Sequence, residues 1–201
     1  MARRSYNLGQ RQLTVEENRR RIVAAARELL ADESGPPGFT VETVARQAGV
    51  ARMTVYYQFK SKRGVLEALF DDLANRGLMP HLRPAFGEPD PARALELVIA
   101  AFTAFWESDR VVLRRARALA ALDPEVAESV KERDEMRRGH LRRVLERLVP
   151  ASKGLQDAID VLHMLTSFET YDALLVEGRA RDEATRIIRR LAAAQLASAV
   201  R

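Results

Sequence analysis

Residues 40–62, TVETVARQAGVARMTVYYQFKSK, restrict most strongly what this chain can fold into. Val41, Val44, Ala45 and Ala48 recur at helical spacing behind Thr40, a residue type that caps helix N-termini. Gly49 follows, and glycine supplies the positive φ that ends one helix and redirects the chain. A second short helix, about Arg52–Phe59, then turns Val55 and Phe59 inward at a spacing of four. Arg52, Met53, Thr54, Tyr56, Tyr57 and Gln58 are left largely outward. Two short helices around a tight turn, the second aromatic and basic, make the helix-turn-helix pattern, whose second helix enters a DNA major groove.

Charge is distributed as that reading requires. Residues 1–63 hold twelve Lys and Arg against six Asp and Glu, whereas the other 138 residues sum to −1. The excess positive charge therefore lies in the first third, which favours a polyanionic partner there. The other two readings of a basic segment are a solvated face and attraction to a membrane surface. A footprint on a palindromic sequence separates DNA binding from the membrane reading.

The flanking residues divide the chain. Residues 1–13 show no clear period and read as a disordered basic arm, with Arg3, Arg4 and Arg11 able to reach a minor groove. Thr14 and Glu17 form a capping-box pattern that starts a helix carrying Ile22, Ala26, Leu29 and Leu30 on one face and Arg19, Arg20 and Arg21 on the other. The run ESGPPG at residues 33–38 ends it. Ser61 caps a fourth helix through Leu66, Leu69, Phe70 and Leu73, ending near Gly77 or Pro80. The expected organisation is all-α: an arm at 1–13, a helix-turn-helix DNA-binding domain at 14–80, and a larger helical ligand-binding and dimerisation domain at 81–201.

At residues 14–80 the sequence resembles the TetR family of bacterial transcriptional regulators. Thr40, Ala45, Ala48, Gly49, Val50, Thr54, Val55, Tyr56, Phe59, Ser61 and Lys62 fill that family's pattern. Three positions depart from it. Ala51 stands where Ser or Thr commonly caps the recognition helix, Gln58 where His is frequent, and Gly64 where acidic or large residues often fall. Losing the cap at Ala51 costs the helix about 1 kcal/mol. The resemblance implies that Tyr57 and Lys62 grip phosphates, with Thr40 at a helix N-terminus, Tyr56 close by, and Lys60 adding charge. Arg52, Met53 and Thr54 lie where side chains reach base edges. Arg52 suits guanine O6 and N7, a pairing worth roughly 1–3 kcal/mol of discrimination, with a phosphate as its other possible partner.

From residue 90 onward the pattern is helical throughout, with helices expected over 91–107, 109–122, 124 to about 149, 155–177 and about 182–200. In the family the last two long helices pair two subunits, which implies a homodimer. One recognition helix also reads too few bases alone, whereas two on a dyad read a palindrome. Ile159, Leu162, Ile187, Ile188, Leu191 and Leu196 are the candidate dimer contacts, some of which belong to the subunit's own core. Phe102, Phe105, Trp106, Met136, His163, Met164, Phe168 and Tyr171 are candidates to line an effector pocket, with core packing as the simpler reading of each. By family analogy a small-molecule effector binds there and releases a double-stranded DNA operator.

The remaining features exclude more than they assign. His81, His140 and His163 are far apart, and no metal spacing, nucleophile elbow or phosphate loop occurs, so neither an enzyme nor a cofactor is expected. No cysteine is present, which rules out disulfides and fits a cytoplasmic location. No apolar run reaches the length of a bilayer span. The alternatives to a ligand-responsive repressor are an activator and a ligand-independent or architectural DNA-binding protein, and an activator shares all these parts.

Overall fold

A computed structural model describes the backbone of residues 2–32, 38–149, 154–176 and 178–199, and side chains within those ranges from 13 to 197. Every element among them is helical, and no helix is long and apolar enough to cross a membrane. The expected turn at 33–37 and the break at Pro150 lie outside the described residues, as do the side chains of Arg3, Arg4 and Arg11.

The chain forms two compact units. The first comprises Met1–Asp72 and Arg115–Ser129, the second Leu73–Arg114 and Val130–Arg201. A boundary after residue 80 does not describe this arrangement, because residues 115–129 join the N-terminal unit from far along the sequence.

In the first unit α1 spans Ala2–Ala31, so the stretch expected as an irregular arm is helical in its backbone. Thr14 sits inside the helix rather than capping it. Residues 2–13 contain no proline, and a helix once nucleated extends through such residues at little cost. Helices α2 (Val41–Ala48) and α3 (Arg52–Phe59) have the expected limits, and α4 spans Lys62–Leu73. Ile22, Ala26 and Leu30 of α1, Val44 and Ala45 of α2, Val55 and Phe59 of α3, and Val65, Leu66 and Leu69 of α4 are buried. Ala116 of α7 (Arg110–Ala120) and Val126 of α8 (Pro124–Leu145) are buried as well. Arg115 donates to the Leu30 carbonyl at 3.4 Å, near the last turn of α1.

In the second unit Gly77 and Pro80 do not end a helix. Residues Ala74–Leu78 form a π-helical turn that runs into α5 (Met79–Gly87), with the Met79 N–H donating to the Ala74 carbonyl. The wider turn precedes Pro80, whose missing N–H would interrupt a regular ladder. Gly77 serves close packing, since a Cβ there would lie 3.2 Å from the Phe105 ring. Helix α6 (Pro91–Ser108) is apolar nearly all round and contacts α5, α10 and α11. The helix expected over 155–177 is two helices, α9 (Leu155–Leu165) and α10 (Phe168–Leu175). Ser167 starts α10 by accepting from the Thr170 N–H at 3.1 Å. Trp106 Nε1 meanwhile holds the Thr166 carbonyl at 2.9 Å. Helix α11 (Arg181–Ala199) packs against α9.

Candidate nucleic-acid interface

The interface is built on the α2–α3 pair. Thr40 Oγ1 accepts from the Thr43 N–H at 3.1 Å, and the Thr40 N–H donates to Thr43 Oγ1 at 3.0 Å. This reciprocal cap fixes the N-terminus of α2 and leaves Thr40 exposed beside it. At the far end Gly49 adopts φ 61°, and its N–H closes on the Ala45 and Arg46 carbonyls. Arg21 completes the corner, donating from Nη2 to the carbonyls of Ala48 at 2.6 Å and Gly49 at 3.1 Å. It thereby neutralises the C-terminal end of α2.

The arginines of α1 are thus structural in good part. Arg19 lies over the Phe59 ring at 4.8 Å, and Arg20 pairs with Glu17 at 2.6 Å. Sequence reasoning missed Arg21, because nothing local marks a contact 27 residues away.

Helix α3 starts at an extended Ala51 with no side-chain cap. Val55 and Phe59 are buried, while Met53 and Tyr57, four residues apart on the outer face, are 72% and 75% exposed. Thr54 is half-buried between them. Arg52 pairs with Glu42 Oε1 at 2.6 Å and donates to the Tyr56 hydroxyl at 3.1 Å, its guanidinium 5.2 Å from that ring. The Tyr56 hydrogen bond and then the Glu42 charge raise its pKa. Lys60 has a left-handed φ of 67° and turns Nζ back to the Tyr57 carbonyl at 3.0 Å, over the Tyr57 ring.

Lys62 differs from the simple phosphate contact its position implies, because its ammonium is paired with Asp123 Oδ2. Hydrogen bonding from Lys62 holds the Asp123 carboxyl below the usual carboxylate range. Thr40, Tyr56, Lys60 and Lys62 all line one open cleft of about 500 Å³. Met53 and Tyr57 face away from α3's buried side, and Arg52 reaches this group through Tyr56.

The candidates in the second unit divide differently. Phe102, Phe105, Trp106, Phe168 and Tyr171 are buried against one another and their neighbours. The Phe102, Phe105 and Phe168 rings lie 5.9, 5.0 and 5.8 Å from Trp106. The Tyr171 hydroxyl donates to Glu107 at 2.7 Å, and burial pushes the phenol's pKa up. Met136 and Met164 are 53% and 58% exposed and are not part of that buried aromatic group. Each falls on the outward side of its helix.

His163 ties two helices together. Its Nε2 lies 3.0 Å from the Asp134 carbonyl and its Nδ1 3.3 Å from Arg138 Nη2. Those partners require Nε2–H and a bare Nδ1, the neutral tautomer. Burial and then the Arg137 charge lower its pKa accordingly.

Of the dimer candidates, Ile159, Leu162 and Ile188 have no exposed surface and belong to the core of the chain itself. They occupy the inner stripe of α9 and α11, and helical periodicity alone does not tell an inner stripe from an outer one. Ile187 and Leu196 are half-buried and Leu191 is exposed. Among the described residues no group of His, Asp or Glu is arranged to hold a metal ion.

Comparison with known proteins converges on the same segment. Residues 22–69 match the family model for bacterial regulatory proteins, tetR family. Over 54 residues the chain is 43% identical to an uncharacterized HTH-type transcriptional regulator, TtgW, of Pseudomonas putida, a span of 27% of this chain and 40% of that protein. Over 71 residues it is 37% identical to the class D tetracycline repressor of Escherichia coli, covering 35% of this chain and 32% of the repressor. The matches thus span well under half the length of these relatives.

Likeness of fold extends further. A transcriptional regulator from Rhodococcus sp. Rha1 aligns over 91% of this chain and 98% of its own with TM-score 0.67 and 22% identity. NalD of Pseudomonas aeruginosa, the secondary repressor of the MexAB-OprM multidrug efflux pump, aligns over 90% and 96% with TM-score 0.65, also at 22% identity.

Proposed function

We propose that this chain, whose N-terminal helix-turn-helix belongs to the TetR family of bacterial regulatory proteins, is a cytoplasmic transcriptional repressor that binds a palindromic DNA operator as a homodimer and is released by a small-molecule effector. The observation that carries the reading is α3 itself. Its inner face is locked by Val55 and Phe59, and its outer face presents Met53 and Tyr57 almost bare beside Arg52. At 72% and 75% exposure, this methionine and tyrosine contribute little to the packing of the chain itself.

The division of labour follows from chemistry. Tyr57 and Lys62, with Thr40 at the α2 N-terminus and Lys60, position the protein on phosphates, while Arg52, Met53 and Thr54 read base edges. Glu42 and Tyr56 hold the Arg52 guanidinium between them, which limits the rotamers it loses on binding. Exposed Leu191, with half-buried Ile187 and Leu196 on α11, supports an apolar dimer face. Release by an effector rests on kinship with a repressor named for tetracycline.

Selection of binding sites from random duplex DNA by the full chain should return a palindrome. Tyr57→Ala should then weaken binding similarly across all sequences. Arg52→Ala should relax preference at one base pair per half-site, by roughly 1–3 kcal/mol. Gel-shift titrations in which neither substitution alters binding would overturn the assignment, and recovery of no enriched sequence would overturn operator recognition.

A further inference from the structure

We propose that Asp123 is an acidic latch that competes with DNA phosphate for Lys62, so that the turn between α7 and α8 restrains the DNA-binding face. The inference rests on the reading of Thr40 and Lys62 as phosphate contacts and concerns how that same face is regulated.

The cleft has two kinds of wall. Thr40, Tyr56, Lys60 and Lys62 line one part, and Leu119, Leu122, Asp123 and Glu125 of the α7–α8 turn line another. Asp123 is fixed there by its own helix. Oδ1 accepts from the N–H groups of Glu125 at 3.1 Å and Val126 at 3.4 Å, at the first turn of α8. Oδ2 remains for Lys62. The two side chains are only 22% and 28% exposed, so water screens the pair less than it screens an open surface pair.

A carboxylate held in this way occupies the place a phosphate oxygen would take at the Lys62 ammonium. A phosphate entering beside Thr40 meets Asp123 and Glu125 as like charges, and it gains Lys62 only by displacing Asp123. Hydrogen bonding from Lys62 keeps Asp123 ionised below the usual carboxylate range, so the latch stays charged at neutral pH. The exchange is of one ion pair for another and needs no other reactant.

The test is Asp123→Asn, which keeps an N-cap of nearly equal quality while removing the charge. Binding of the full chain to a fluorescein-labelled duplex of random sequence would be followed by anisotropy across a salt series. The variant should bind roughly tenfold tighter at low salt, the factor for one charge-assisted contact. Its log–log salt dependence should steepen by about 0.9, one further phosphate neutralised. In a Lys62→Gln background the same substitution should gain much less, since only the like-charge relief remains.

Asp123→Ser, also a capping residue, repeats the measurement should the asparagine variant lose helical circular dichroism. Unchanged affinity and slope, weaker binding, or an undiminished gain without Lys62 would each overturn the latch. Wild-type binding that Tyr57→Ala weakens establishes the DNA-binding reading whatever the Asp123 variants do. If wild type and both Asp123 variants bind no duplex at any salt, the DNA-binding reading fails and the latch with it. Binding that appears only on removal of the Asp123 charge supports the latch.

Discussion

Replacing Gly64 with alanine should lower the melting temperature by about 10 °C, from a destabilisation of roughly 3 kcal/mol in a chain of this size. The cause is space, not backbone torsion. A Cβ at Gly64 would stand 2.0 Å from the Phe59 carbonyl oxygen, a backbone atom that no rotamer change removes. That close approach exists because α3 and α4 meet at an unusually tight corner. Lys60 takes a left-handed φ of 67°, the Ser61 N–H returns to the Phe59 carbonyl at 2.8 Å, and the Gly64 N–H donates to Ser61 Oγ at 3.1 Å.

Relief of the overlap would have to move the C-terminus of α3, the element that carries Met53 and Tyr57. DNA affinity should therefore fall even well below the melting transition. Gly139→Ala is the matched control. Gly139 lies exposed within α8, and a Cβ there would have nothing within 4 Å, so the alanine should stabilise by about 0.5–1 kcal/mol through helix propensity alone. Thermal melts showing both alanines equally benign would remove the steric argument.

Gly64 also marks where sequence reading reaches its limit. As a departure from the family pattern it carried information, but only the corner shows that this chain requires a residue without Cβ there. The limits of α2 and α3 were legible because their signals are local: a capping threonine, a glycine at the turn, and apolar residues at helical spacing. Signals that depend on distant partners were not. Arg21 reads as a solvated base and in fact closes the helix-turn-helix corner. Lys62 reads as free charge and meets an aspartate 61 residues away.

The apolar faces of α9 and α11 had the right period, yet periodicity does not distinguish Ile159, buried within the chain, from Leu191, exposed on it. The dense charge of α8 hid the opposite error. Among those bases Arg137 is buried, and no feature of the run distinguishes it from its neighbours.

Arg137→Ala should destabilise the second unit by roughly 3–5 kcal/mol, the usual consequence of removing one partner from a buried ionic group. The side chain is 3% exposed. Its Nη1 donates to the His163 carbonyl and to Thr166 Oγ1, the latter at 3.1 Å, and its Nη2 meets Asp134 Oδ1 at 3.2 Å. These contacts place a cation at the C-terminal end of α9, where unsatisfied carbonyls carry partial negative charge. They also explain why the chain breaks between α9 and α10 without a glycine or proline. Carbonyls that would otherwise favour helix continuation are taken by Arg137 and Trp106, and Ser167 opens a new helix.

Arg137→Lys should recover part of the loss, since an ammonium keeps the charge but not the fork that serves both helices. Trp106 is the only tryptophan of the chain and its Nε1 donates to the Thr166 carbonyl at the same junction. Intrinsic fluorescence therefore reports the site directly. The alanine variant should shift emission to the red below its melting transition, as water enters where the guanidinium was. An unshifted spectrum with an unchanged melting temperature would mean that the α9–α10 break is held by Ser167 and Trp106 alone.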